Sequence, residues 1–376
     1  MKKLMIFSVA ALAAVACAKT YDTAPAQEQA IGFGTWTENL TKARTPGTSA
    51  FAAGDKFFVY GSKVTGSSEP VTVFDGVPVS TTDGTAWTYS PKRFWDSNTD
   101  SYTFYAVSPS EGVELSALIS EHDVAAGTFT SKDLTFDGKT NDVLVANKKM
   151  VAKGDYGKKV DLVFNHAASL LDLKVRMADG LANSGAKLEI EAVSLENIKS
   201  QGHFTVTGYG TSDPYAPTIS SPWVDDTDPA TTATYTNTSG ATSVDLSSPL
   251  EVTGKLVAPA ADPNFLIQNL VVMPQTFATD AQQLKITYSI TTGTDEDAQK
   301  ITFTDKTYDL ILFDVTDYPT DDDVDDAVDY NGAANVTGWA PGTHYTYIIT
   351  IDANSIEFSA TITSWTEANG YHYLIN

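Results

Sequence analysis

The sequence predicts an all-β protein with two tandem β-sandwich domains, and three observations lead to this prediction. Threonine, serine, glycine, valine and tyrosine are frequent, and long stretches with helical periodicity are missing. Short stretches of alternating apolar and polar side chains recur along the chain, with turn residues between them. The length of 376 residues is sufficient for two ordinary domains. Many short strands at this spacing are typical of β-sandwiches.

The chain begins with an export signal. Lys2 and Lys3 precede an uncharged apolar stretch over residues 4–16, which is too short for a permanent transmembrane helix. Alanines flank Val15 just before Cys17, so the sequence predicts cleavage before Cys17 and attachment of lipid to it. Ordinary cleavage nearby, with an incidental cysteine, is the alternative. Because Cys17 is the only cysteine, an internal disulfide is excluded.

A tether and a short strand are predicted after the signal, over residues 18–44. The polar tether reaches residue 29, and residues 30–36 alternate apolar and small side chains, as a strand would. A basic segment follows, in which Pro46 favours extended or turn geometry. The main sandwiches are then predicted over residues 45–179 and 180–376, with their boundary near Asp179.

Strands of the first sandwich are predicted at short intervals, and only residues 113–122 look helical. The strand candidates are residues 56–60, 71–74, 86–89, 102–107, 142–146, 160–164 and 171–177. In the last of these, Leu171 and Leu173 alternate with Asp172 and Lys174. We therefore expect its apolar face to cover a core and its charged face to meet water.

Residues 208–249 predict a long polar loop at the start of the second half, and strands resume after it. The candidates are residues 251–257, 268–273, 284–290, 301–303, 308–313, 345–351 and 356–362. The last two form a hairpin around a turn at residues 352–354.

The charge of the chain excludes one class of partner. Its formal net charge is −23, from 24 basic and 47 acidic residues. Such a surface repels phosphate, so nucleic-acid binding is not expected. It also repels an anionic membrane, so the lipid on Cys17 is the expected route of membrane attachment.

No catalytic or metal-binding motif is recognisable. The histidines are not spaced as metal ligands; they are His122, His166, His203, His344 and His372. Residues 321–329 are rich in aspartate but lack the glycine and the terminal glutamate of an EF-hand, so a solvated loop is favoured over a calcium site. We predict no enzymatic activity, no cofactor and no metal site.

Several stretches, in their order, resemble the fimbrillin family, the Mfa-like subunits of type V pili on Gram-negative surfaces. The most specific is residues 160–171, which contain a Phe-x-His segment at Phe164 and His166. The other matching stretches are the lipobox and residues 31–33, 42–46, 58–61, 102–109, 142–146, 341–347 and the hairpin before Trp365. The resemblance implies two tandem transthyretin-like sandwiches with antiparallel Greek-key topology.

The resemblance also implies a route of assembly. Such a subunit is exported as an outer-membrane lipoprotein, trimmed by an arginine-specific protease and incorporated into a cell-surface fimbria with other pilus subunits. Arg44 is the cleavage candidate, and Lys42 is a rival position for a different protease. Ile31 and Phe33 would then be the apolar side chains of a leader strand that leaves the N-terminal sandwich. A strand from a neighbouring subunit would fill the vacancy.

The donor strand and the place of the subunit in the fimbria stay open. The C-terminal tail offers Tyr371, Tyr373 and Ile375 as the alternating side chains of a candidate donor strand. A tip or accessory subunit is slightly favoured over a stalk subunit. The alternative function is a surface glycan-binding lipoprotein, for which Trp223 in the polar stretch is the best candidate for an exposed stacking ring. A secreted hydrolase is a third hypothesis, without a motif in its favour.

Overall fold

The computed structural model describes residues 29–35, 51–109, 114–207, 218–226, 230–252, 254, 264–311, 336–353 and 356–365. Their regular secondary structure is almost entirely β-strand, which confirms the all-β prediction. The helices among them are single turns: α1 (Leu115–Leu118), α2 (Ala152–Asp155), α3 (Asp179–Asn183) and a 3₁₀ helix at Asp295–Asp297.

Strands of the first half are numbered β1 to β12 in chain order. They are β1 (Gly32–Thr35), β2 (Lys56–Val64), β3 (Val71–Thr81), β4 (Trp87–Thr88), β5 (Ser101–Ser108), β6 (Ile119–Asp123), β7 (Thr128–Ser131), β8 (Leu134–Thr135), β9 (Leu144–Val151), β10 (Lys159–Leu162), β11 (Asn165–His166) and β12 (Ser169–Met177).

Strands of the second half are numbered β13 to β25. They are β13 (Lys187–Lys199), β14 (Gln201–Gly202), β15 (Thr205–Thr207), β16 (Thr218–Ile219), β17 (Thr232–Thr236), β18 (Leu250–Glu251), β19 (Phe265–Val272), β20 (Gln275–Thr276), β21 (Gln283–Thr292), β22 (Gln299–Asp309), β23 (Gly338–Trp339), β24 (Thr343–Ile351) and β25 (Ile356–Ser364). The predicted C-terminal hairpin is present as β24 and β25.

The first core lies between two sheets of very different size. An antiparallel sheet has the strand order β11-β9-β5-β2-β3-β4, and β1 pairs with β10 in a separate parallel sheet. Apolar and aromatic side chains from both sheets form one buried cluster, which we call the first core: Ile31, Phe33, Phe57, Val59, Phe74, Val79, Tyr89, Trp95, Tyr102, Phe104, Ala106, Leu144, Ala146, Val160, Leu162 and Phe164.

The second core lies between two sheets of similar size. One has the order β19-β12-β24-β25, and the other has the order β17-β13-β21-β22 with β18 beside β13. Leu173 and Tyr347 from the first of these sheets share a buried cluster with Ile190 and Ile286 from the other. Strand β12 therefore belongs to this second core, although it lies before the predicted domain boundary.

A third buried cluster joins chain segments from both halves. It contains Tyr60 and Tyr105 from the large N-terminal sheet, together with Phe204, Val271 and Trp365. The sheet β16-β15-β7-β6 and the short pair β14-β8 contribute to it as well. We call it the middle cluster.

The charged face of β12 is buried, so the prediction that it meets water is wrong. Asp172 and Lys174 are 6 % and 3 % exposed. Strand β12 lies in the centre of its sheet, where Asp172 accepts hydrogen bonds from the backbone N–H of Asn269 and pairs with His344. The ammonium group of Lys174 lies 4.4 Å from the ring centroid of Phe265. These partners compensate for the lost hydration of both charges.

Two further predictions of local structure are corrected. The helix expected over residues 113–122 is limited to α1, and the chain continues directly into β6, which pairs with β7. The polar stretch 208–249 is not simply a loop, since β17 within it pairs with the long strand β13. In both places, pairing with a neighbouring strand outweighs the local sequence signal.

Candidate functional site

Residues 29–35 lie in a groove of the first core, between chain segments that come much later in the sequence. The backbone N–H of Ile31 donates to the carbonyl oxygen of Arg93 at 2.8 Å. The N–H of Trp95 donates to the carbonyl oxygen of Gln29 at 2.9 Å. Strand β1 then pairs in parallel with β10. Backbone pairing therefore holds the segment on both sides of the groove.

Two side chains of this segment fill the first core. Ile31 and Phe33 are 1 % and 3 % exposed. The Phe33 ring meets its aromatic neighbours edge to face, with centroid distances of 5.3 to 6.3 Å, and these neighbours are Phe57, Phe74, Tyr89 and Phe104. Such contacts add to the burial of a large ring. Ile31 and Phe33, the predicted apolar positions of the leader strand, therefore point into the core.

The alternate positions, Gly32 and Gly34, are glycines on the opposite face of the strand. A Cβ atom at Gly34 would lie 2.6 Å from Oδ1 of Asp161, and one at Gly32 would lie 3.6 Å from Cγ of Lys159. Glycine thus allows β1 to lie close beside the long side chains of β10. Large apolar side chains lie on one face of the strand and glycines lie on the other. This pattern determines which face of the strand packs into the core.

Tyr89 links the strand to the groove. Its buried hydroxyl donates to the carbonyl oxygen of Ile31 at 2.6 Å, and it accepts from the N–H of Arg93 at 3.2 Å. Burial raises the pKa of Tyr89, and the backbone hydrogen bond and charge of Arg93 oppose that change. The hydroxyl therefore stays protonated at neutral pH and can donate this hydrogen bond.

The other predicted site residues lie outside the described part of the chain. They are Cys17, Lys42, Arg44, Tyr371, Tyr373, Ile375 and the acidic residues 321–329.

The histidine of the Phe-x-His segment is a buried structural group. His166 is 1 % exposed, and its Nδ1 lies 2.8 Å from Oδ1 of Asp142. Its ring stacks on Trp365 with a centroid distance of 3.7 Å. The backbone N–H of Trp365 donates to the carbonyl oxygen of Gly342. The end of β25 is thereby fastened to the sheet that carries the first core.

Trp223 is buried, so the prediction of an exposed ring at this position is wrong. Its ring packs between Phe136 and Phe204, and Nε1 donates to the carbonyl oxygen of Ala167 at 3.1 Å. Residues 221–226 return over the middle cluster despite the polar sequence around them.

Three residues that the sequence did not connect meet at one surface point. Nδ1 of His203 lies 3.1 Å from Oδ1 of Asp133 and 3.6 Å from Oδ2 of Asp226. The residues come from separate segments with no motif spacing, so only the fold brings their ligand atoms together. No signal in the sequence alone identifies this group.

Comparison with solved structures finds a similar fold in a bacterial fimbrial protein. A fimbrial protein from Bacteroides vulgatus matches 90 % of this chain and 100 % of its own, with a TM-score of 0.56 and 17 % identity. The tip fimbrial protein Mfa3 from Porphyromonas gingivalis, with C-terminal truncation, matches 83 % of this chain and 95 % of its own, with a TM-score of 0.34 and 10 % identity. A search of curated proteins gives no match.

The sequence comparison then gives the family. The fimbrillin-like family profile matches residues 41–365, so the chain belongs to the fimbrillin-like family. This membership confirms the resemblance described above and makes the chain a pilus or cell-adhesion subunit. Within the described residues, no helix has the length and apolar character needed to cross a membrane.

Proposed function

We propose that this chain is a fimbrial subunit that assembles by strand exchange, with β1 as the strand that is replaced. Cleavage after Arg44 would remove β1, and a strand from a neighbouring subunit would take its place. The observation that carries the proposal is the burial, in the first core, of Phe33 on a four-residue strand outside the large sheet and of Ile31 just before that strand.

Removal of β1 would create a vacancy that a second strand can fill. The backbone groups of β10 and of residues 93–95 would lose their partners, and unpaired backbone groups away from water are costly. The space around Phe33 would open among its aromatic neighbours. Refilling each large apolar pocket recovers roughly 1.5–3 kcal/mol. An extended strand with apolar side chains at alternate positions meets both needs.

The precursor and the mature subunit would occupy different places. We propose that lipid on Cys17 holds the precursor at the outer membrane until an arginine-specific protease cuts after Arg44. The lipid and β1 would then leave together, and the subunit would enter a cell-surface fimbria. Lys42 is the rival cleavage position.

The C-terminal tail is the candidate donor strand. Tyr371, Tyr373 and Ile375 are spaced two residues apart, as Ile31 and Phe33 are in the leader. The other C-terminal candidate, β25, pairs along its length with β24 and would have to leave that ladder. We propose a tip or accessory subunit. The glycan-binding alternative loses its best support because Trp223 is buried.

We also propose two sandwich domains, as predicted for residues 45–179 and 180–376. Because β12 pairs with β19 and β24, we place the division between the two domains earlier than residue 179, between Phe164 and Ser169.

A cleavage experiment tests the proposal. The purified precursor is treated with an arginine-specific protease, beside the variants Arg44→Ala and Lys42→Ala, and the products are identified by mass spectrometry. We expect loss of the segment ending at Arg44 in the wild type and in Lys42→Ala, but not in Arg44→Ala. A labelled peptide with the sequence of residues 29–35 should then bind the cut protein and not the uncut one.

Two results would overturn the proposal in different places. Absence of a discrete cut at Arg44 would remove the maturation step. A clean cut, followed by no binding of the peptide and no concentration-dependent assembly, would remove strand exchange, since the vacancy would then not accept a strand.

A further inference from the structure

We propose that Asp133, His203 and Asp226 form a binding site for a divalent transition metal, with Zn²⁺ as the best fit. This proposal is independent of strand exchange, because the three residues lie at the middle cluster and not in the groove that holds β1. We call them the Asp-His-Asp group.

The Asp-His-Asp group lies on three neighbouring chain segments that are joined by backbone hydrogen bonds. Strand β7 pairs with β15, and β8 pairs with β14. Asp133 lies between β7 and β8, and His203 lies between β14 and β15, so both occupy the gap between the two ladders. On its other side, His203 exchanges two backbone hydrogen bonds of 2.9 Å with Val224, two residues before Asp226.

A well-packed floor supports these segments. Phe204 and Trp223, the chain neighbours of His203 and Val224, are 0 % and 4 % exposed in the middle cluster. At Gly202, an added Cβ would lie only 2.7 Å from the carbonyl oxygen of Val224. The close approach of the two segments therefore depends on the missing side chain, and it holds the ligand-bearing backbone in place.

The distances between donor atoms suit a small ion. The three ligand atoms lie within 4.8 Å of one another, and Nδ1 of His203 is 3.1 and 3.6 Å from the two carboxylate oxygens. Tetrahedral zinc with ligands at about 2.0–2.1 Å places its donors about 3.4 Å apart. The two distances from His203 lie on either side of that value.

The donor types favour zinc over calcium or magnesium. An imidazole nitrogen suits zinc and its neighbours in the first transition row, whereas calcium and magnesium prefer oxygen ligands. Three protein ligands leave one tetrahedral position for water or for a group from another chain.

The charges of the group also favour a cation. Among the residues that the structure describes, both carboxylates form their ion pairs with His203 and not with a lysine or an arginine. One Nδ1–H can satisfy Asp133, but Asp226 at 3.6 Å is beyond hydrogen-bond distance. A metal ion would use both carboxylates at once.

The chain contains a matched control. His122 lies 3.2 Å from Asp75 in a second, more exposed histidine–aspartate pair, and among the described residues no second carboxylate joins that pair to form a ligand group. A metal that only associates with surface histidines would be affected equally by loss of His122 or of His203.

The site can be tested by calorimetric titration of the purified chain with Zn²⁺. The titration is done at neutral pH in a buffer that does not coordinate metal. We expect one saturable site, a rise in melting temperature with Zn²⁺ and tetrahedral absorption bands with Co²⁺. His203→Gln and Asp226→Asn should each weaken binding by at least about tenfold, the lower end of the loss seen when even a hydrogen-bond partner of a metal ligand is removed, and His122→Gln should leave it unchanged. Asp226 is exposed, so its variant keeps the test valid if His203→Gln folds poorly.

Equal Zn²⁺ binding by Asp226→Asn and by the wild type would overturn the proposal, as would absence of a saturable site. Equal losses in His122→Gln and His203→Gln would assign the binding to surface histidines. Calcium binding as tight as zinc binding would overturn the choice of metal.

Discussion

Two parallel strand pairs in this molecule differ in how firmly they are held. Strand β1 pairs only over its short length with β10, in a sheet of two strands. Strand β24 pairs with β12 from Leu170 to Met177 and is flanked on its other side by β25. Both strands bury apolar side chains. The comparison shows that burial of side chains alone does not determine how firmly a strand is held. The number of backbone hydrogen bonds to neighbouring strands, which must break when the strand leaves, matters as well.

The outward faces of the two pairs differ in the same sense. Gly32 and Gly34 leave the outer face of β1 bare, so β10 gains nothing there from side-chain packing. On β12, Asp172 and Lys174 are buried and bound to neighbouring strands. Loss of β24 would therefore open the second core and also expose paired charges, whereas loss of β1 would open only the first core.

The largest expected effect comes from truncating one core side chain in each region. Phe33→Ala should lower the free energy of unfolding of the uncut chain by about 3–5 kcal/mol, and Leu173→Ala should lower it by about 2–5 kcal/mol. After cleavage at Arg44, Phe33 is gone, so the first variant should match the cut wild type. The penalty of Leu173→Ala should persist. Urea denaturation of the cut and uncut forms of each variant and of the wild type measures the loss of unfolding free energy in all four cases.

A penalty of less than about 1 kcal/mol for Phe33→Ala in the uncut chain would break this comparison, because β1 would then contribute little to the first core.

A smaller effect is expected from adding one methyl group to Gly34 of β1 or to Gly338, which precedes Trp339 of the second core. A Cβ at Gly338 would lie 2.3 Å from the carbonyl oxygen of Gln275, a backbone atom that cannot easily move. Gly338→Ala should therefore cost about 1–3 kcal/mol. At Gly34 the close atom is the end of the Asp161 side chain, which can rotate. Gly34→Ala should cost less than about 1 kcal/mol.

Thermal denaturation of the two glycine variants checks the order of their effects. If Gly34→Ala were the more damaging substitution, β1 would be held more rigidly than its short ladder indicates.

The smallest effect is a loss of stability at alkaline pH that depends on Tyr60. This residue lies on the face of the large N-terminal sheet that packs into the middle cluster. Burial, with a further contribution from the charge of Asp75, raises the pKa of Tyr60 from 10.0 to about 12. Because the folded state holds this proton more tightly, the resulting stability is complete below pH 10 and is lost as the pH rises towards 12. Tyr60→Phe should reduce the loss of stability over that interval.

Urea midpoints at pH 9 and pH 11 measure this difference. Tyr60 belongs to the middle cluster and not to the first core, so the change should be the same in the cut and uncut chains. An identical alkaline slope in wild type and Tyr60→Phe would contradict the prediction.

The all-β fold and the inward face of the leader could be predicted because both depend on local patterns. Turn signals on either side predicted the strand around Tyr105, alternation of side chains predicted the strand around Val160, and the same period placed Ile31 and Phe33 on one face. The buried charges of β12 could not be predicted, since alternation does not say whether a strand lies at the edge or in the centre of a sheet. That position depends on β24, which comes from the far end of the chain.

The sites that depend on distant pairing were missed for the same reason. Trp223 lies in a polar stretch, and only its return over the middle cluster buries the ring. His203, Asp133 and Asp226 share no spacing, and three separate backbone segments bring them together. Composition and periodicity describe each segment, but neither describes which segments become neighbours.

The pairing of β12 with β24 also has a consequence for the order in which the chain can fold. Strand β12 lies far from β24 in the sequence, and its edge on that side stays uncovered until the distant segment folds back onto it. Contacts between such distant segments carry a large loop-closure cost, and proteins rich in them fold in roughly milliseconds to seconds. The second core is therefore expected to close late, and loss of the last hairpin would leave β12 with an open edge that invites aggregation.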